Sequence, residues 1–140
     1  MRIFPAALTL LLLAGCSSGG APVQPRAEPD TRSVLGTPLA QTVGAEEAGR
    51  IRAMAEVNGM LRHCRLRWEG YFARMVTQQR DLQRDLQRPD ADMQRIAVWH
   101  GYWLGATQRA ADRDQIPCTA AFQTELRDRA EALLRLTSAR

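Results

Sequence analysis

The chain has 140 residues, 45% of them hydrophobic and 24% charged, which allows one domain with a single core and little more. Its formal net charge is +4, but every basic residue is arginine, and arginines alternate with acids, as in Arg80-Asp81 and Arg84-Asp85. That is the pattern of a solvated, ion-paired helix surface and not the one-sided basic face of a nucleic-acid binder, so nucleic acid is excluded as a partner.

Arg2 opens the chain with a positive charge, and residues 3–14 form an apolar run broken only by Pro5 and Thr9. The run falls short of the ~20 residues a transmembrane helix needs. It fits the roughly 7–15 apolar residues of a signal peptide. It ends in Leu13-Ala14-Gly15-Cys16, which resembles the lipobox of bacterial lipoproteins. The resemblance implies removal of residues 1–15, a diacylglycerol on the Cys16 sulfur and acylation of the new N-terminus. Two or three acyl chains give stable membrane attachment at about 0.8 kcal/mol per buried CH₂. Ser17 stands where an Asp would imply retention at the inner membrane, so the resemblance implies the periplasmic leaflet of the outer membrane.

Residues 16–44 read as a disordered tether. Ser17-Ser18-Gly19-Gly20 opens the segment, and Pro22, Pro25, Pro29 and Pro38 recur through it with few large apolar side chains. Such a composition buries too little surface to offset chain entropy. As a flexible linker it would span roughly 30 Å.

Residues 45–140 read as an all-α domain, a small antiparallel bundle of three or four helices. Met54, Leu61, Trp68, Met75 and Leu82 fall seven apart, with Val57, Cys64 and Tyr71 offset by three, the seam of a helix packed against other helices. The pattern stops near Arg88-Pro89-Asp90, since proline disfavours helical geometry in the residue before it. Gly59 and Gly70 each cost about 1 kcal/mol in a helix interior. One bent helix and two helices broken between Gly59 and Arg67 are both compatible with this stretch. A further helix starts after Pro89 with Asp90 as its cap, and carries Met93, Ile96, His100, Trp103, Thr107 and Ala110 on one face. The last starts around Pro117 and carries Phe122, Leu126, Ala130, Leu133 and Leu134.

With Cys16 lipidated, Cys64 and Cys118 remain, and an even pair in an oxidising compartment predicts a disulfide. Counting outward from a reversal at Pro89 places Cys64 beside residue 114, and one short turn brings Cys118 to the same end of the bundle. The order Cys64, Trp68, His100-Gly101-Tyr102, Pro117-Cys118-Thr119 resembles a group of short exported helical proteins of alphaproteobacteria. That resemblance implies the same pairing and no particular activity.

The remaining chemistry is sparse. His63 and His100 fall too far apart along the bundle to share a metal, and no His-x-x-x-His or Glu-x-x-His pair offers ligands on one helix face. No cofactor, metal or enzymatic activity is expected. Trp99-His100-Gly101-Tyr102-Trp103 cannot all face inward, which leaves Trp99 or Tyr102 at the margin of the core. Gly101 and Gly105, four apart, suggest a close helix approach. Residues 46–63 outrun what the later helices would cover, so Met54, Val57 and Leu61 are expected to form an exposed seam. That seam and the Trp99/Tyr102 margin are the candidate interaction surface, for an envelope protein or a second copy of the chain. The leading expectation is therefore a lipid-anchored envelope accessory protein. A periplasmic holdase that opens in acid, and a small-ligand binder with a pocket beside Trp99 and Tyr102, are the other classes considered.

Overall fold

A computed structural model describes residues 35–138. The expected signal peptide, Cys16 and the expected tether as far as residue 34 lie outside the described residues. Among the described residues five helices follow one another: α1, Leu39–Val43; α2, Ala45–His63; α3, Glu69–Asp85; α4, Asp90–Arg113; and α5, Ala120–Ser138. Among the described residues there is no strand, and no helix is long and apolar enough to cross a membrane.

The joints are set by backbone chemistry. Gly44 links α1 to α2 with φ 89°, a left-handed geometry that costs glycine nothing, and its N–H bonds the Ala40 carbonyl. Three helices then end in the same Schellman turn, each with a left-handed residue that is not glycine. At the end of α2, Arg65 (φ 55°) donates its N–H to Arg62 and Leu66 donates to Leu61. Gln87 and Arg88 close α3 in the same way, as Gln115 and Ile116 close α4. Pro89 precedes α4, so Asp90 is the first helical residue and not the cap, and the Asp92 N–H bonds the Pro89 carbonyl. The Thr119 hydroxyl accepts the Phe122 N–H and caps α5.

The turn at residues 64–68 settles the long apolar stretch as two helices. It folds α3 back along α2, so that Gln79 meets Glu47. The turn at Pro89 reverses the chain again, and α4 rises beside α2: Asn58 meets His100, and His63 meets Asp112. Running parallel to α3, α5 brings Glu131 to Arg74 and the Leu134 carbonyl to Gln78. α2 is therefore the central helix, flanked by α4 and α5, which do not pack on each other.

This arrangement corrects the expected seam. Met54 and Val57 are 2% exposed and Leu61 is 0% exposed, all three inside the core with Ile51, Met75, Ile96, Leu126, Ala130 and Leu134. The expectation treated residues 46–63 as an extension beyond the bundle. The turn after His63 makes them its axis instead, and burying the apolar side chains of α2 against several neighbours is what holds the other helices to it. On α3 the buried stripe is Met75, Gln79 and Gln83, with Leu82 only half-buried.

The boundary of the tether is corrected as well. Residues 35–43 pack on the bundle: Leu39 and Thr42 are buried, the Trp99 indole N–H bonds the Thr37 carbonyl at 3.1 Å, and Arg88 donates to the Thr42 carbonyl. The buried leucine and the two backbone carbonyls with donors are the contacts that hold this segment against the bundle.

Candidate functional site

The Trp99–Trp103 stretch of α4 is divided between core and surface. His100 faces inward and is 2% exposed. The Phe72 ring lies 4.4 Å from its own and Trp68 stacks at 6.4 Å, both from the α3 side. The Asn58 amide nitrogen lies 3.1 Å from Nε2 and donates to it, which requires a neutral ring. Burial pushes the His100 pKa down to about 4.

Outward, Tyr102 is 50% exposed and meets Trp99 edge-on at 5.8 Å. Trp99 is also 4.9 Å from Trp103, over which the Arg52 guanidinium sits at 5.9 Å. This platform carries the candidate residues Trp99 and Tyr102. It adjoins the docked residues 35–43 through the Trp99–Thr37 bond. Gly101 has nothing near it, and Gly105 faces only the Arg109 side chain, so neither marks a close helix approach. The close approach is at Gly59, where an added Cβ would lie 2.6 Å from the Leu104 carbonyl oxygen and 2.9 Å from the Thr107 Cβ.

At the other end of α2 the two cysteines form the expected disulfide, with Cα atoms 5.5 Å apart across a separation of 54 residues. His63, beside it, reaches Asp112 through Nδ1 at 2.6 Å and the Ile116 carbonyl through Nε2 at 2.8 Å. Both partners are acceptors, so the geometry favours the doubly protonated ring, in which both nitrogens donate. The Ile116 carbonyl and the Asp112 carboxylate together raise the His63 pKa above 6.5. His63 and His100 remain apart, because Asp112 and His100 lie twelve residues from each other on α4, about 18 Å along the axis. Sequence reasoning paired Cys64 with Cys118 but did not join His63 to them, although it precedes Cys64 directly in the chain.

An open groove of about 680 Å³ runs between α3 and α5, lined by Arg67, Glu69, Gly70, Tyr71, Arg74 and Glu131. Arg74 and Glu131 pair across it at 2.7 Å, and that bond raises the Arg74 pKa. Neither Trp99 nor Tyr102 lines this groove, so it is not the pocket expected beside them.

The two histidines give stability opposite dependences on pH. Folded His100 titrates near 4 and the unfolded residue near 6.5, so the unfolded state takes up the proton first as pH falls. Its contribution is complete above about pH 7, and about 2 kcal/mol is lost between there and roughly pH 5. The His63 clasp has the reverse sign: its contribution is complete below pH 6.5 and is lost as pH rises through its raised pKa. Urea unfolding across this range should show the acid loss in the wild type and a flattened acid limb in His100→Gln. An unchanged acid limb in that variant would assign the loss to other groups.

No protein-family model, curated protein or solved structure matches the chain.

Proposed function

We propose that the chain is a lipid-anchored envelope accessory protein, attached through Cys16 at the periplasmic face of the outer membrane, and that it acts as a non-enzymatic protein–protein interaction module. Its partner is another envelope protein or a second copy of the chain, met through Trp99 and Tyr102. The observation that carries the reading is the half-exposed Tyr102 ring, braced edge-on by Trp99 on a helix whose opposite face is core. A rigid aromatic with a polar tip loses little entropy on binding and is the kind of side chain that dominates interfaces. With Met54, Val57 and Leu61 buried, the proposed surface narrows to this platform.

The test is a photo-crosslinking residue at position 102 of the full-length chain in cells, with a control at exposed Asp128 and a Cys16→Ser twin. Membrane fractionation of the wild type alone, with one discrete adduct from position 102 and none from 128, is the expected result. If both versions fractionate as soluble, or position 102 gives no adduct, the reading fails.

A second reading, an acid-opening holdase, draws on one observation: the core around Phe72 and Trp68 holds His100 in the neutral form. Protonation would favour the open chain and expose that aromatic core to unfolded clients. Light scattering of an aggregating client at acidic pH, with wild type and His100→Gln, separates this reading from the first.

A further inference from the structure

We propose that the Cys64–Cys118 clasp, once reduced, is a binding site for a thiophilic divalent cation such as Zn²⁺, with His63 as its third ligand. Ligand atoms of His63, Cys64 and Cys118 all lie within 4.8 Å of one another. His63 and Cys64 are neighbours at the C-terminal end of α2, and Cys118 arrives from the loop before α5. The Ile116 carbonyl oxygen lies 2.8 Å from His63 Nε2 and 4.0 Å from the Cys118 sulfur. Nε2 and the sulfur therefore converge on one place, which the Ile116 carbonyl oxygen fills while the disulfide is intact and which a cation would take once that oxygen is displaced. On the other side of the ring, Asp112 holds Nδ1 at 2.6 Å. A carboxylate on one imidazole nitrogen is the arrangement that orients a histidine to bind metal through the other.

Two thiolates and an imidazole, with a water as the fourth donor, match the tetrahedral preference of Zn²⁺. Zn–S bonds of about 2.3 Å place two sulfurs about 3.8 Å apart. The cysteine Cα atoms are 5.5 Å apart, a separation that side-chain rotation can serve in either state. The disulfide blocks the site while it lasts, because each sulfur is bonded to the other. A dithiol reductant supplies two electrons and two protons to the S–S bond and is itself oxidised to a disulfide, leaving two protein thiols. Zn²⁺ then takes both sulfurs as thiolates and releases the two thiol protons to solvent. His63 binds through Nε2 as the neutral ring, its remaining proton staying on Nδ1 towards Asp112, and any second ring proton also leaves to solvent. Disulfide and metal would thus staple the same two segments under oxidising and reducing conditions respectively.

The experiment uses the full chain carrying Cys16→Ser, so that Cys64 and Cys118 are its only thiols. It is reduced with a phosphine and titrated with Co²⁺, a spectroscopic stand-in for Zn²⁺, with circular dichroism recorded alongside. Tetrahedral d–d bands and thiolate-to-cobalt charge transfer should saturate at one metal per chain, disappear on addition of Zn²⁺, and be missing from the oxidised protein. Asp112→Asn should weaken binding about tenfold, and His63→Ala should weaken it further. If the reduced apo chain has lost helix, recovery of helix together with the bands counts equally for the site. A reduced chain that gives no bands, or a His63→Ala variant that binds Co²⁺ as the wild type does, overturns the proposal.

Discussion

Replacing Cys64 and Cys118 together by serine is expected to lower stability by about 4 kcal/mol, the chain-entropy value for a loop of this length. The link spans 54 residues and ties the C-terminal end of α2 to the approach to α5. Between those points lie the whole of α3 and α4, so the bond removes many open conformations from the unfolded chain. A domain of about 100 residues holds only 5–15 kcal/mol in total, so the loss is a large fraction of what there is. It corresponds to a fall in Tm of roughly 20 °C. Since α5 packs on α2 and α3 but not on α4, its amides should lose protection from hydrogen exchange first. A serine pair that unfolds at the wild-type urea midpoint would show that the unfolded ensemble is not what the link constrains.

Gly59→Ala should cost about 3 kcal/mol, near the upper end of overpacking penalties, although alanine is the better helix former. The added Cβ would sit 2.6 Å from the Leu104 carbonyl oxygen and 2.9 Å from the Thr107 Cβ. The first of these is backbone, which no rotamer change can move aside. α2 and α4 would have to separate, and theirs is the most extensive helix pairing in the fold, so core contacts along both helices would loosen together. Gly101→Ala is the matched control: on the exposed side of α4 it meets nothing within 4 Å and should stabilise by up to about 1 kcal/mol. Opposite signs in urea midpoints are the expected result. Equal effects would mean that helix propensity alone governs both sites.

Much of the fold was legible in residue order. The seven-residue apolar series through Met54, Leu61 and Met75 marked a packing seam, although Met54 and Leu61 were expected to stay exposed on it, and the stripe Leu126, Ala130, Leu134 marked the buried face of α5. The break within residues 46–87 was harder to place. Gly59 and Gly70 drew attention as helix breakers, yet both lie inside helices, and the turn is made by Arg65 in a left-handed conformation. An arginine carries no sequence signal for such a stop. The docking of residues 35–43 was hidden for a related reason, because it rests on the carbonyls of Thr37 and Thr42, groups every residue possesses.

The candidate sites divide along the same line. Helical character, one reversal at Pro89 and the Cys64–Cys118 link follow from periodicity, proline geometry and the count of thiols, all properties of the chain taken along its length. That Tyr102 faces solvent while His100 is sealed in, that Gly59 is a contact point while Gly101 is not, and that His63 lies between Asp112 and Ile116 depended on how helices distant in sequence come to touch. Periodicity assigns a face to each residue, but the direction of the turn after His63 decides what that face meets. With α3 folded back, α2 became the axis of the bundle, and its apolar seam became core instead of surface.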